Sequence, residues 1–165
     1  MKKILMAILL MAPLSLFAQK FAHFNQADIV PNMKEYVKAQ EELKSLFEQL
    51  QNDLKMMEEE LKTKYESYQK EAEKLLENVR TRREKELTDL QQRLQQSAAD
   101  NEQAFQKAQT EKLQGVIDLL NAAIKKVGEA GGYVYIVDIS SGVIPYVSPT
   151  LSTDITPEIK KALGM

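Results

Sequence analysis

Apolar residues recur through the middle of the chain at steps of 3, 4 and 4: Leu43, Leu46, Leu50, then Leu54, Met57, Leu61, then Tyr65, Tyr68, Ala72, then Leu76 and Val79. The spacing averages about 3.67 residues per turn, the eleven-residue repeat that holds one narrow stripe on a helix without the drift of a strict heptad. Between the stripe positions the residues are mostly Glu, Lys and Gln, so the helix has one apolar seam and a solvated remainder. That is the pattern of a coiled-coil arm, and a helix buried on all sides inside a globule does not show it.

Helical patterning starts at or just after Pro31, whose missing N–H costs nothing at a helix start, and continues to about Glu129. As a single rod it would be about 145 Å long at 1.5 Å per residue. Near its midpoint the run from Arg80 to Glu86 has no apolar side chain, and the seam restarts at Leu87, Leu90 and Leu94. Either the helix continues through a solvated stretch, or the chain turns and two arms of about 70 Å bury their seams on each other. The hairpin is favoured, because strand-like segments too short to fold alone flank the helical region and a hairpin brings them together. Local turn chemistry is silent: only Asn78 is near. The returning arm continues through Ala98, Asn101 and Phe105. Gln109 and Lys112 then occupy seam positions before Leu113, Val116, Leu120, Ile124 and Val127 resume. Polar seam residues either fix register or loosen the pair.

The ends read as compact β-rich material. Gly131-Gly132 closes the helix, Tyr133 to Val137 is a β-branched and aromatic run, and Ser140-Ser141-Gly142 turns into Val143 to Val147. The expectation is a β-hairpin with Pro145 toward an edge, and a third strand from Phe21 to Phe24. Thr156-Pro157-Glu158 reads as an N-cap, a first-turn proline and a first-turn acid, with Gly164 ending a short helix. These ends together are close to the size, roughly 40 residues, below which an isolated domain needs help. Because the strands are apolar on both faces, that help is expected from other copies of the chain. The fold class is therefore α+β, mostly α: a long antiparallel coiled-coil hairpin over 31–130, with its tip near 78–86, and a small oligomerising body from 19–30 and 131–165. Body residues expected at the oligomer contact are Phe21, Phe24, Val134, Ile136 and Val143.

Composition changes the picture in three places. Lys2 and Lys3, the apolar run Ile4 to Met11 and a plausible cleavage after Ala18 read as an export signal over residues 1–18, with an uncleaved anchor as the alternative. Without those two lysines the chain is more acidic than its formal net charge of −2, which weakens a nucleic-acid reading. The absence of cysteine removes disulfide staples, thiol catalysis and the usual zinc motifs. His23 is the single histidine and is read as a strand side chain, since a metal or catalytic site needs several converging groups. No acid, base or nucleophile pair stands out from solvated helix charge. The chain is accordingly read as no enzyme, and no cofactor is expected.

The order of segments then points to a family. Gln19-Lys20-Phe21-Ala22-His23-Phe24-Asn25, a long charged helical hairpin, Gly132-Tyr133-Val134-Tyr135-Ile136-Val137-Asp138, a second β segment, and Asp154-Ile155-Thr156-Pro157-Glu158-Ile159 together resemble the Skp (OmpH) periplasmic chaperones over essentially the whole mature chain. The resemblance implies a jellyfish-like homotrimer whose helical hairpins enclose unfolded outer-membrane β-barrel proteins in the periplasm, without ATP. Members of that family are often strongly basic, whereas this chain has a pI near 5.6, which puts long-range steering of clients and lipid in doubt.

Two groups of residues are candidates for contact under that reading. Arg80, Arg82, Arg83 and Lys85 concentrate basic charge at the expected tip, for client or transient membrane contact, against the plain alternative of a solvated turn. Met56 lies beside the seam residue Met57 and either meets client in the cavity or packs at a rim; Tyr65 and Tyr68 are read as seam. Other functions compatible with the pattern are a periplasmic adaptor hairpin without chaperone activity and a membrane-anchored spacer. An adaptor should carry Gly-rich lipoyl-like half-motifs, none of which is visible between Gln19 and Val30, and a spacer should lack the terminal strands and capped helix.

Overall fold

The computed structural model describes residues 19–165; the export signal expected over 1–18 lies outside the described residues. The elements run β1 (Lys20–Phe24), two 3-10 turns, α1 (Lys34–Glu71), a 3-10 turn (Ala72–Lys74), α2 (Glu77–Gly131), β2 (Tyr133–Asp138), β3 (Ser152–Asp154) and α3 (Thr156–Ala162). By contact they fall into two units, residues 28–122 and a second built from the residues up to 27 together with 123–164.

The first unit is the helical hairpin. Pro31 sits in the 3-10 turn before α1, and Met33, extended at φ −69° and ψ 132°, is the residue from which the helix springs. Glu35 lies in the first turn, where the helix dipole favours an acid. Met33, Ala39 and Leu43 are buried, and Leu46, Leu50, Leu54, Met57 and Leu61 follow as a half-buried stripe. Beyond Leu61 the stripe departs from the eleven-residue step. Lys64 takes the position expected for Tyr65, which is 50% exposed. The 3, 4 alternation reached there is the spacing a left-handed pair of helices maintains.

The reversal lies earlier than expected. Ala72–Lys74 tightens into a 3-10 turn, Leu75 extends at φ −79° and ψ 143°, and the N–H groups of Val79 and Arg80 both donate to the Leu76 carbonyl at 2.9 Å to start α2. The tip is therefore at residues 72–76, and Arg80, Arg82, Arg83 and Lys85 belong to the first turns of the returning helix. An absence of apolar residues marks solvent on both sides of a helix as readily as it marks a turn. Here helix-supporting contacts settle the matter: Arg80 pairs with Glu77, and the hydroxyls of Thr81 and Thr88 donate to the carbonyls of Glu77 and Glu84. Leu76, expected in the seam, is 73% exposed.

Cross-helix contacts pair about residues 75–77. Phe47 and Phe105 meet with ring centroids 5.5 Å apart, Asn101 Nδ2 donates to the Leu50 carbonyl at 3.2 Å, and Lys112 and Lys64 form ion pairs with Glu42 and Glu86. Ala108 is half-buried where Gln109 was expected, leaving Gln109 exposed. Buried apolar side chains in this unit are confined to Ile29, Met33, Ala39, Leu43, Val116 and Leu120. Toward the tip one seam between two helices covers only part of each side chain, so local stability declines in that direction.

The second unit holds a three-stranded, wholly parallel sheet in the order β2-β1-β3. Ala22 pairs with Ile136 on one side and Thr153 on the other. Along β1, Ala22 and Phe24 are buried while Phe21 is exposed, so one face is covered and the other open. The expected β-hairpin does not form: Val143 to Val147 has no regular structure, and the third strand is Ser152–Asp154. Pro145 removes a ladder donor from the middle of that run. The Asp138 carboxylate also turns the chain aside after β2, accepting from the N–H groups of Ser140 at 2.9 Å and Gln26 at 3.1 Å.

Thr156 is likewise not the helix cap. It is the first residue of α3, its N–H donates to Asp154 Oδ1 at 2.9 Å, and its hydroxyl accepts from the Asn25 N–H at 3.1 Å, closing the end of β1. Gly132, at φ 66°, ends α2 in the left-handed conformation that favours glycine.

Two outcomes are expected. Ile159, fully buried, should cost about 2–5 kcal/mol when replaced by alanine, read as a lowered urea midpoint for the unit that contains it. Burial raises the carboxyls of Asp138 and Asp154, but donors from Ser140 and Gln26 in one case and Thr156 in the other outweigh it and hold both below the usual aspartate value. Their contribution to stability is complete above that value and is lost as pH falls through the depressed folded one. Asp138→Asn with Asp154→Asn should therefore lower the melting temperature at neutral pH and flatten its decline in acid.

Candidate functional site

Among the described residues no helix is long and apolar enough to cross a membrane, and no group of three or more His, Cys, Asp and Glu is placed to hold a metal ion. His23 faces Ser152, with Nδ1 2.9 Å from Oγ, a contact within the sheet between neighbouring strands.

On the hairpin a groove of about 590 Å³ lies between the distal halves of α1 and α2. Leu61, Leu87 and Leu94 line it with the rings of Tyr65 and Tyr68. Sequence reasoning placed both tyrosines in the seam and so missed the groove. The signal that finds it is Lys64, whose pairing with Glu86 across the helices displaces Tyr65 outward. The Lys64 amine is held above its ordinary pKa by the hydrogen bond to Glu86, and the Glu86 carboxyl is held below its own by the same bond. Tyr68 donates to Glu84, and that bond raises the phenol. Glu42 is lowered in the same way by Lys112, nearer the start of α1.

Basic side chains without an ion pair remain beside the tip. Glu77, Glu84 and Glu86 are engaged by Arg80, Tyr68 and Lys64. Arg82, Arg83 and Lys85 form no ion pair among the described residues, and Arg82 and Lys85 are exposed. Met56 is 62% exposed and Met57 half-buried.

On the sheet-bearing unit Phe24 is buried, Ile136 half-buried, and Phe21 and Val134 exposed. Val143 is exposed in a segment with no strand, so it does not share a sheet face with the others. Tyr135, Tyr146 and Leu151 are also exposed, and the sequence reading did not single them out. Phe21 stacks on Tyr135 with centroids 6.3 Å apart and rings within 6° of parallel, beside a groove of about 220 Å³ bounded by Ile144 and Tyr146. A monomer rarely leaves so many large apolar side chains uncovered on so small a unit.

Among solved structures the chain is similar to a candidate outer membrane chaperone (OmpH-like) from Caulobacter crescentus CB15, with a TM-score of 0.75, 16% identity, and coverage of 88% of this chain and 83% of that one. At that identity the likeness is one of fold. Among curated proteins none matches the chain significantly. The family model described as outer membrane protein (OmpH-like) matches residues 20–163, from the first residue of β1 to the residue after α3, and the chain belongs to that family.

Proposed function

We propose that this protein is an ATP-independent periplasmic holdase chaperone that binds unfolded outer-membrane β-barrel proteins and prevents their aggregation on the way to the outer membrane. The observation that carries the reading is the hairpin itself: two helices of 38 and 55 residues with a single partly covered seam and an open apolar groove, on a chain of the OmpH-like family. Such a surface offers an unfolded chain many weak contacts and no deep pocket, which suits shelter of varied clients. The Caulobacter crescentus relative, a candidate outer membrane chaperone, adds a fold of the same kind.

In this reading residues 19–30 and 131–165 form the oligomerisation body of a homotrimer, and residues 31–130 are the client-binding arm. Exposed Phe21, Val134, Tyr135 and Tyr146 supply the apolar area that other copies cover. Arg82, Arg83 and Lys85, with Leu76 at the apex, form a basic and apolar end suited to transient contact with an anionic membrane surface. Residues 1–18 direct export.

Light scattering of residues 19–165, alone and mixed with a urea-unfolded barrel protein diluted into buffer, tests the reading. A trimer that keeps the client soluble without nucleotide is expected; a monomer beside which the client aggregates at its usual rate rejects it. Replacing Arg80, Arg82, Arg83 and Lys85 by Gln should weaken binding to anionic vesicles, by about 1 kcal/mol for each residue that reaches the surface, and leave trimer mass unchanged. Vesicle binding and client holding that both stay at the wild-type level remove any role for the tip charges.

A further inference from the structure

The distal groove has a length, a lining and a charge that restrict what fits it. Leu61, Leu87 and Leu94 form its apolar surface, and Tyr65 and Tyr68 add aromatic rings. Both tyrosine hydroxyls are engaged within the hairpin: Tyr68 donates to Glu84, and Tyr65 accepts from Gln69 Nε2 at 2.9 Å, which leaves its O–H free to donate. What remains for an occupant is ring surface and the Tyr65 O–H donor, in a space of a size that holds a small ligand or a few side chains.

Two of the three charged side chains lining the groove are carboxylates. Lys62 is matched by Glu66 at 4.0 Å, whereas Glu58 has no ion pair among the described residues and the Glu84 carboxylate takes only the phenol of Tyr68. The lining groups without an ion pair are thus Glu58 and Glu84, toward the two ends of the groove.

Its span is set by helix geometry. From Glu84 to Leu94 one helix rises about 15 Å. An extended chain advances about 3.3 Å per residue and returns to the same face every second residue. About five residues fit, with two or three side chains pointing in together. A barrel strand that crosses a membrane is about 10 residues of alternating apolar and polar character, with aromatic residues near its ends.

We propose that this groove is a docking site for extended segments in which apolar and aromatic side chains alternate with polar ones and lie next to lysine or arginine, the pattern of half a membrane-spanning β-strand before it folds. The proposal rests on the holdase reading and gives it a place on the chain. Same-face aromatic side chains meet the Tyr65 and Tyr68 rings and the leucines, and the neighbouring cation meets Glu58 or Glu84.

The test uses three labelled ten-residue peptides of stated pattern, titrated with residues 19–165 at low salt and followed by fluorescence anisotropy. One alternates Phe and Tyr with Ser and Lys, one has the same composition with its aromatic residues grouped, and one has Glu in place of Lys. The alternating peptide should bind at least tenfold more tightly than either other. Leu61→Ser combined with Tyr65→Ser should remove at least tenfold of that affinity without loss of helicity. Equal binding of the three peptides, or unchanged affinity in a helical double variant, overturns the proposal. If the double variant loses helicity, a photo-crosslinker on Gln91→Cys decides, since Gln91 lines the groove. Crosslinking to the alternating peptide supports the proposal, and crosslinking to a second copy of the chain, or to nothing, overturns it. Holding of an unfolded barrel protein separates the two readings: failure of the wild type rejects the holdase function, while equal holding by wild type and helical double variant rejects the groove alone.

Discussion

The structure depends on β1 being the middle strand of a parallel sheet. A parallel pair cannot be joined by a tight turn, because the chain leaves one strand at the end opposite to where the next begins. Phe21 pairs with Tyr135 across more than a hundred intervening residues, and the connection that spans them is the helical hairpin. The second connection, from β2 to β3, is short and carries no regular structure. The sheet therefore demands an excursion, and the excursion has become the larger part of the molecule. Ala22, Phe24, Ile155 and Ile159 are the buried side chains of the sheet-bearing unit nearest to its strands.

Along the excursion the energetic terms are modest and distributed. Most charged contacts are i, i+4 pairs between exposed side chains, each worth a few tenths of a kcal/mol in helix support. What joins the helices is the half-covered seam, interrupted by Asn101 against the Leu50 carbonyl and by the Lys64 and Glu86 pair. Both interruptions set register, since each polar group finds its partner at one alignment of the helices. Both also replace apolar contact, so the outer part of the hairpin is held less firmly than the part around Leu43 and Val116.

Much of this was legible in the sequence because the seam is a periodic signal read over many residues. From Leu43 to Leu61 every stripe position is at least half-buried. Single positions were less legible. The choice between Lys64 and Tyr65 depends on whether an ion pair with Glu86 forms across the helices, which no periodicity within one helix reports. Apolar residues stop in the first turns of α2 and not at the reversal, and a charged helix end looks like a charged loop unless a pair such as Arg80 with Glu77 is known. Val143 to Val147 has strong strand propensity, but propensity is realised only where the whole run can join a ladder, and Pro145 in its middle has no N–H to give one. Thr156 was read as a cap from local spacing; its hydroxyl serves Asn25 instead, a partner 131 residues away. The groove stayed invisible for the same reason that misplaced Tyr65.

The reversal at Ala72–Leu76 uses no glycine, no proline and no left-handed residue. Nothing in its backbone chemistry ties it to one position along the chain; the pairing of the two helices alone decides where the chain turns. Deleting matched seam repeats from both helices would bring other ordinary residues to the apex and leave the sheet's pairings untouched. Reach is thus a parameter that evolution, or a protein engineer, can change by simple excision and insertion, independently of the sheet at the chain's two ends.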